Sequence, residues 1–203
     1  YGALGMSHHA TEDIAIMRAL PGVTVISPST EYEAYSSTIN LSKQAGVGYL
    51  RLDKSKVENI NEKVERFKIG KGRVLLDGSD YAIIACGGIV NEAISAAHEL
   101  NNKNISCKVI SMHTIKPMDN ALIHNCVKNL KGIISLEEGN ITGGMGSAIL
   151  EVCLNTGKFP LKMKMLGIKD EYISIVGSQK YLRDSVGISK KFIVDAILEM
   201  DRL

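Results

Sequence analysis

The stretch Tyr81-Ala82-Ile83-Ile84-Ala85-Cys86-Gly87-Gly88-Ile89-Val90-Asn91-Glu92-Ala93-Ile94-Ser95-Ala96-Ala97-His98-Glu99-Leu100 decides the fold. An apolar run of strand length, Tyr81 to Cys86, closes on two glycines, and Val90 to Leu100 then reads as a helix. The alternation continues downstream. Strands are predicted at Cys107 to Ser111, Gly132 to Leu136 and Leu161 to Leu166. Helices are predicted at Asp119 to Leu130, Ser147 to Asn155 and Ser189 to about Arg202. Strands alternating with helices of about 10–15 residues predict a mostly parallel sheet with helices on both faces, a three-layer α/β/α arrangement.

Upstream of Arg73 the pattern is shorter. Ser7 to Leu20 has acidic residues early and apolar Ile14, Met17 and Leu20 near helical spacing, and Pro21-Gly22 ends it. Val23 to Ser27 is a short β-branched strand, and Thr30 with Glu33 makes a capping box for a helix to about Lys43. Tyr49 to Leu52 reads as a strand. Asp53 to Lys71 holds nine Lys, Arg or Glu residues and reads as a linker. One or two strands with two helices cannot cover both faces of a parallel sheet, so further elements are expected before Tyr1. The chain opens Tyr1-Gly2-Ala3 without Met and reads as a fragment.

Composition narrows the function classes. The 203 residues are 45% hydrophobic and 23% charged, which excludes a disordered chain. No apolar run approaches the ~20 residues of a membrane span. The 24 basic and 22 acidic residues are dispersed, giving a net charge of +2 and no basic stripe for nucleic acid. Cys86, Cys107, Cys126 and Cys153 are widely spaced in apolar context, which suits buried thiols in a reducing, cytoplasmic setting rather than a zinc or disulfide framework.

Few residues stand out chemically. Gly5-Met6-Ser7-His8-His9 places two imidazoles ahead of a helix, where the macrodipole favours a neutral ring able to donate one hydrogen bond and accept another. Neighbouring side chains diverge there, so at most one should enter a site; a pair of exposed capping residues is the alternative reading. Arg51 lies near the carboxyl end of its strand, where open α/β sheets bind ligands. It would suit a phosphate or carboxylate, or else a structural salt bridge. Gly87-Gly88 reads as a tight turn rather than a phosphate loop. Gly143-Gly144-Met145-Gly146 reads as packing or subunit contact, since Glu137 and Glu138 precede it. His113 follows a strand end, whereas His98 and His124 read as structural. No metal-ligand set is apparent.

In order and spacing these segments resemble the C-terminal section of transketolase. The residues that carry the resemblance are Gly5-Met6-Ser7-His8-His9 with Glu12 to Arg18, Leu20-Pro21-Gly22, Val25-Ile26-Ser27-Pro28 and Tyr49-Leu50-Arg51. Thr114-Ile115-Lys116-Pro117-Met118-Asp119 and Glu137-Glu138 before Gly143 to Ser147 extend it along the chain. The resemblance implies residues 1–65 as the second half of a pyrimidine-binding domain, 66–71 as linker and 72–203 as the C-terminal domain. It also implies two-carbon ketol transfer between sugar phosphates in pentose phosphate metabolism. Thiamine diphosphate and a divalent metal such as Mg would be bound mainly by an N-terminal diphosphate-binding section or subunit outside this sequence, within a homodimer. His8 matches the family histidine near the substrate's terminal hydroxyl and the cofactor amino group, and Arg51 the arginine that binds the sugar phosphate. Alone, this stretch is expected to be inactive. Leu4 stands where many transketolases have aspartate and His9 where glutamine is common. Deoxyxylulose-phosphate synthase, the decarboxylase β subunit of a 2-oxoacid dehydrogenase, and a non-catalytic dimerisation or regulatory module are the alternatives.

Overall fold

The computed structural model describes residues 2–55 and 67–203. Residues 56–66, the greater part of the charged tract Asp53 to Lys71, therefore lie outside the described residues, whereas 67–71 of the 66–71 linker are described. Two sheets are present among those described. The larger has the order β3-β5-β4-β7-β8, from β3 (Arg73–Leu76), β4 (Tyr81–Cys86), β5 (Cys107–Ser111), β7 (Gly132–Asn140) and β8 (Met163–Ile168). All its pairings are parallel except that of β3, an antiparallel edge strand missed in the sequence.

Burial follows the period of two along β4, because successive side chains point to opposite faces. Tyr81, Ile83 and Ala85 pack with α3 (Val90–Asn101) and α7 (Lys190–Arg202). Ala82, Ile84 and Cys86 pack with α4 (Asn120–Asn129) and α5 (Met145–Thr156). That second core also takes in Ile14, Val23 and Val25 from the N-terminal region, so the two lobes share one apolar interior.

The smaller sheet runs β2-β1-β6. β1 (Val23–Ile26) pairs in parallel with β2 (Val47–Leu50), and antiparallel with β6 (Thr114–Lys116), contributed from beyond β5. β6 was not anticipated. Two further corrections concern the N-terminal region. The predicted helix from Ser7 is a 3-10 turn over Met6–His8, and α1 begins only at Asp13 and runs to Ala19. Positive-φ Ala10 lies between them. His8 therefore precedes α1 by a separate turn, and the macrodipole argument for a neutral ring loses its geometry. The strand predicted from Tyr49 lies two residues earlier, and Arg51 is the first residue after it.

The capping box forms in part. Thr30 Oγ1 accepts from the Glu33 amide at the start of α2 (Glu31–Ser42), but the Glu33 carboxylate passes its own N-cap and accepts from the Ser29 amide at 2.7 Å. It then meets Ser111 and Arg73 in the interior between the lobes, where Glu33 is fully buried.

His113 is also fully buried, stacked 4.4 Å from Phe67, with Nδ1 2.9 Å from the Thr114 hydroxyl. Its address after β5 is thus structural. Burial, with the charge of Arg73, pushes its pKa down to about 4, against the opposing charge of Asp119. Below pH ~6.5 the unfolded chain takes a proton that the fold refuses, so His113 costs stability as pH falls from 6.5 towards 4. Glu137 contributes the opposite slope, because burial lifts its carboxyl to about 7. The difference between wild type and His113→Gln isolates the histidine. In denaturant titrations wild type should lose about 3 kcal/mol relative to the variant between pH 7 and 4. Parallel pH profiles would remove this role.

Candidate functional site

The carboxyl ends of parallel strands collect ligand sites because the chain diverges there, and here two sheets bring such ends together. Ser27 follows β1, Arg51 follows β2, Cys86 ends β4 with Gly87 just after it, and Glu138 lies near the end of β7. All of them line one cavity of about 510 Å³ between the lobes. The junction is tied by backbone: the Ser27 amide donates to His113 O at 2.7 Å and the Gly87 amide to Ser27 O at 3.1 Å.

His8 lines this cavity, with Nδ1 3.0 Å from Ser7 Oγ. So does His9, contrary to the expectation that at most one of the pair would enter. The turn ahead of α1, in place of a regular helix entrance, lets both reach it. His9 Nε2 is buried without a hydrogen-bond partner among the described residues, which fits a polar ligand atom.

Arg51 lines the same cavity and is already paired. Its Nε lies 2.9 Å from Asp13 Oδ2 and its Nη2 donates to the Glu138 carbonyl at 2.9 Å. Burial works against its charge, but Asp13 above all, with Cys86, Glu138 and Asp53, raises its pKa further. The salt-bridge reading is thus realised, and a guanidinium with more than one bonding edge leaves the ligand reading intact.

Behind Arg51 stands a polar network absent from the sequence reading. Arg183, on α6 (Gln179–Ser185), donates from Nη2 to Glu138 Oε2 at 2.7 Å and to Ser55 Oγ at 2.9 Å. Gln179 Nε2 reaches Asp53 at 3.3 Å and Glu138 at 3.2 Å. Burial opposes ionisation of Asp53, yet the Ser55 amide, Gln179, the Ser55 hydroxyl and Arg183 hold its carboxyl below the usual range. Nothing in the local sequence of α6 marks these residues. Asp13 and Tyr49 were missed as well, although Tyr49 and Arg51 stand two apart and so share a face.

The glycine segments are packing devices. A Cβ on Gly88 would lie 2.3 Å from that of Ser55, and the Gly88 amide donates to Asp53. At the second segment the Glu137 carboxylate accepts from the amides of Met145 and Gly146, capping α5 from inside, so subunit contact is not needed to explain it. Among the described residues no three His, Cys, Asp or Glu side chains converge to hold a metal, and no helix is long and apolar enough to cross a membrane.

Comparison with known proteins places this arrangement. Residues 1–59 match the transketolase pyrimidine-binding domain and residues 70–193 the transketolase C-terminal domain. An apulose-4-phosphate transketolase subunit of Actinobacillus succinogenes is 33% identical over 201 residues, covering 99% of this chain and 64% of that protein. The putative transketolase C-terminal section of Methanocaldococcus jannaschii is 36% identical over 200 residues, covering 98% and 62%. 1-Deoxy-D-xylulose-5-phosphate synthase of Halothermothrix orenii is 34% identical over 98% of this chain and 31% of its own length. A solved split-gene transketolase, described as an inactive β4 tetramer, superposes with TM-score 0.88 at 29% identity, over 97% of this chain and 63% of that one. The chain thus spans somewhat under two thirds of those transketolase relatives. With both of its lobes matched in order, it belongs to the transketolase family and corresponds to the C-terminal section.

Proposed function

We propose that this chain serves a transferase that moves a two-carbon ketol unit between sugar phosphates. Residues 1–65 are read as part of the pyrimidine-binding domain and 72–203 as the C-terminal domain. The observation that carries the reading is that His8 and Arg51 line one cavity at the strand ends between the lobes. An N-terminal diphosphate-binding section or a separate polypeptide would complete the site. The Actinobacillus relative, named as one subunit of a transketolase, supports such a division, and the assembly would be a cytoplasmic homodimer. The inactivity of the β4 relative supports expecting none from this chain alone.

Thiamine diphosphate, when bound, supplies the carbon nucleophile for ketol transfer. His8 and the unpartnered His9 Nε2 fit the edge of such a group, while Mg or another divalent metal would take its ligands elsewhere. His8, whose Nδ1 lies 3.0 Å from Ser7 Oγ, is the residue assigned to the substrate's terminal hydroxyl and the cofactor amino group. Arg51 holds the phosphate end by charge-assisted hydrogen bonds. Leu182, Val186 and Ile188 add apolar side chains to the lining of the same cavity.

The test uses the chain assembled with its upstream partner. Arg51→Ala should raise KM for phosphorylated ketoses about 10–100-fold and leave unphosphorylated analogues unchanged. An equal effect on both removes the phosphate role. The synthase relatives favour a second reading, in which pyruvate is the donor; product analysis with pyruvate against a ketose phosphate separates the two.

A further inference from the structure

Arg51 is gripped along one edge. Its Nε meets Asp13 Oδ2 and its Nη2 meets the Glu138 carbonyl, each at 2.9 Å, and these nitrogens form one side of the planar guanidinium. The opposite side, made of Nη1 and the second Nη2 hydrogen, is a ready fork for two oxygens of an anion. Among the described residues Nη1 meets no acceptor, and the side chain keeps 19% exposure beside the cavity.

Asp13 is itself braced. Its Oδ2 accepts from the Tyr49 hydroxyl at 2.7 Å, and its Oδ1 from the Ile14 amide at 2.8 Å, in the first turn of α1. Tyr49 and Arg51 lie on one face of the same extended segment, so a single carboxylate oxygen serves both. That oxygen fixes the direction of the guanidinium.

We propose that Asp13, braced by Tyr49, is a positioning residue that locks one edge of Arg51 and presents the other edge to a phosphate in the cavity. This rests on the phosphate reading of Arg51 and adds the group that aims it. The contrary possibility has an opposite sign. If Asp13 merely competed for the guanidinium, removing its charge would strengthen anion binding by relieving repulsion. If it positions Arg51, removing it frees a flexible side chain and weakens binding through the ordering cost.

The experiment titrates the full chain with inorganic phosphate at constant ionic strength, following heat or the phosphorus resonance. The Arg51 Nε–H signal is monitored by NMR. Asp13→Ala should weaken phosphate binding about five- to tenfold and lose the protected Nε–H signal. Asp13→Asn, whose amide oxygen still accepts, should restore most of both. Tyr49→Phe should give a smaller loss, and carries the test if Asp13→Ala fails to fold. Unchanged or tighter phosphate binding in Asp13→Ala, or a Tyr49→Phe variant identical to wild type, overturns the positioning role. No phosphate binding in wild type, or full binding in Arg51→Ala, instead overturns the reading of Arg51 beneath it.

Discussion

Replacing Glu33 with alanine should lower stability by about 3–5 kcal/mol, the largest single effect on folding expected in this chain. The carboxylate is fully buried and accepts from the Ser29 amide at 2.7 Å, Ser111 Oγ at 2.9 Å and Arg73 Nη1 at 2.9 Å. Burial raises its pKa, against the pull of those hydrogen bonds and of the Arg73 charge. Arg73 is itself buried, and its guanidinium lies 5.0 Å from the centre of the Tyr32 ring. Without Glu33 that cation keeps its desolvation cost and loses its counter-charge. A Glu33→Met, Arg73→Met pair removes both charges and should recover most of the loss, since the cost belongs to the orphaned partner more than to the missing bond. Denaturant unfolding of the two single variants and the double variant at pH 7 checks this. A Glu33→Ala penalty under about 1 kcal/mol would mean that water reaches Arg73 and the pair is not dry.

On the proposed ketol-transfer function, His8→Ala should reduce kcat/KM for ketose cleavage by about 10²–10³-fold in the enzyme assembled with the proposed upstream partner. The proposed contact from His8 to the substrate hydroxyl matters most while charge is redistributed, so its loss falls on the transition state and lowers kcat more than it raises KM. His8 is exposed in its turn and contributes little to the core, so the melting temperature should stay put. Ser7→Ala, which releases Nδ1, should give a milder decrease in the same direction. An unaltered kcat/KM in His8→Ala would strip this residue of its assigned part.

What the sequence reveals depends on how locally each element is determined. β4 and β5 are legible to the residue: β4 is an unbroken apolar run buried on both faces, and β5, though Lys108 interrupts it, is a short apolar stretch set off by polar neighbours. β3, β6 and α6 are not. β3 is a four-residue edge strand, β6 exists only because β1 pairs with it, and α6 reads Gln-Lys-Tyr-Leu-Arg-Asp-Ser without a clear apolar stripe. The site divides in the same way. His8 and Arg51 are found from turn chemistry and strand position, but Asp13, Glu138, Gln179 and Arg183 meet across more than 35 positions of sequence and announce themselves only in three dimensions. Glu33 shows both sides: its amide fulfils the capping expectation while its carboxylate answers to tertiary partners.

Because β6 leaves the C-terminal lobe to complete the small sheet beside β1, the seam between lobes does not coincide with the charged tract joining them. Any chimera that exchanges the N-terminal lobe with that of a relative by cutting at the tract would inherit a foreign third strand. Grafts should therefore carry the Met112 to Pro117 crossing together with the N-terminal portion, making the transferable module discontinuous along the gene.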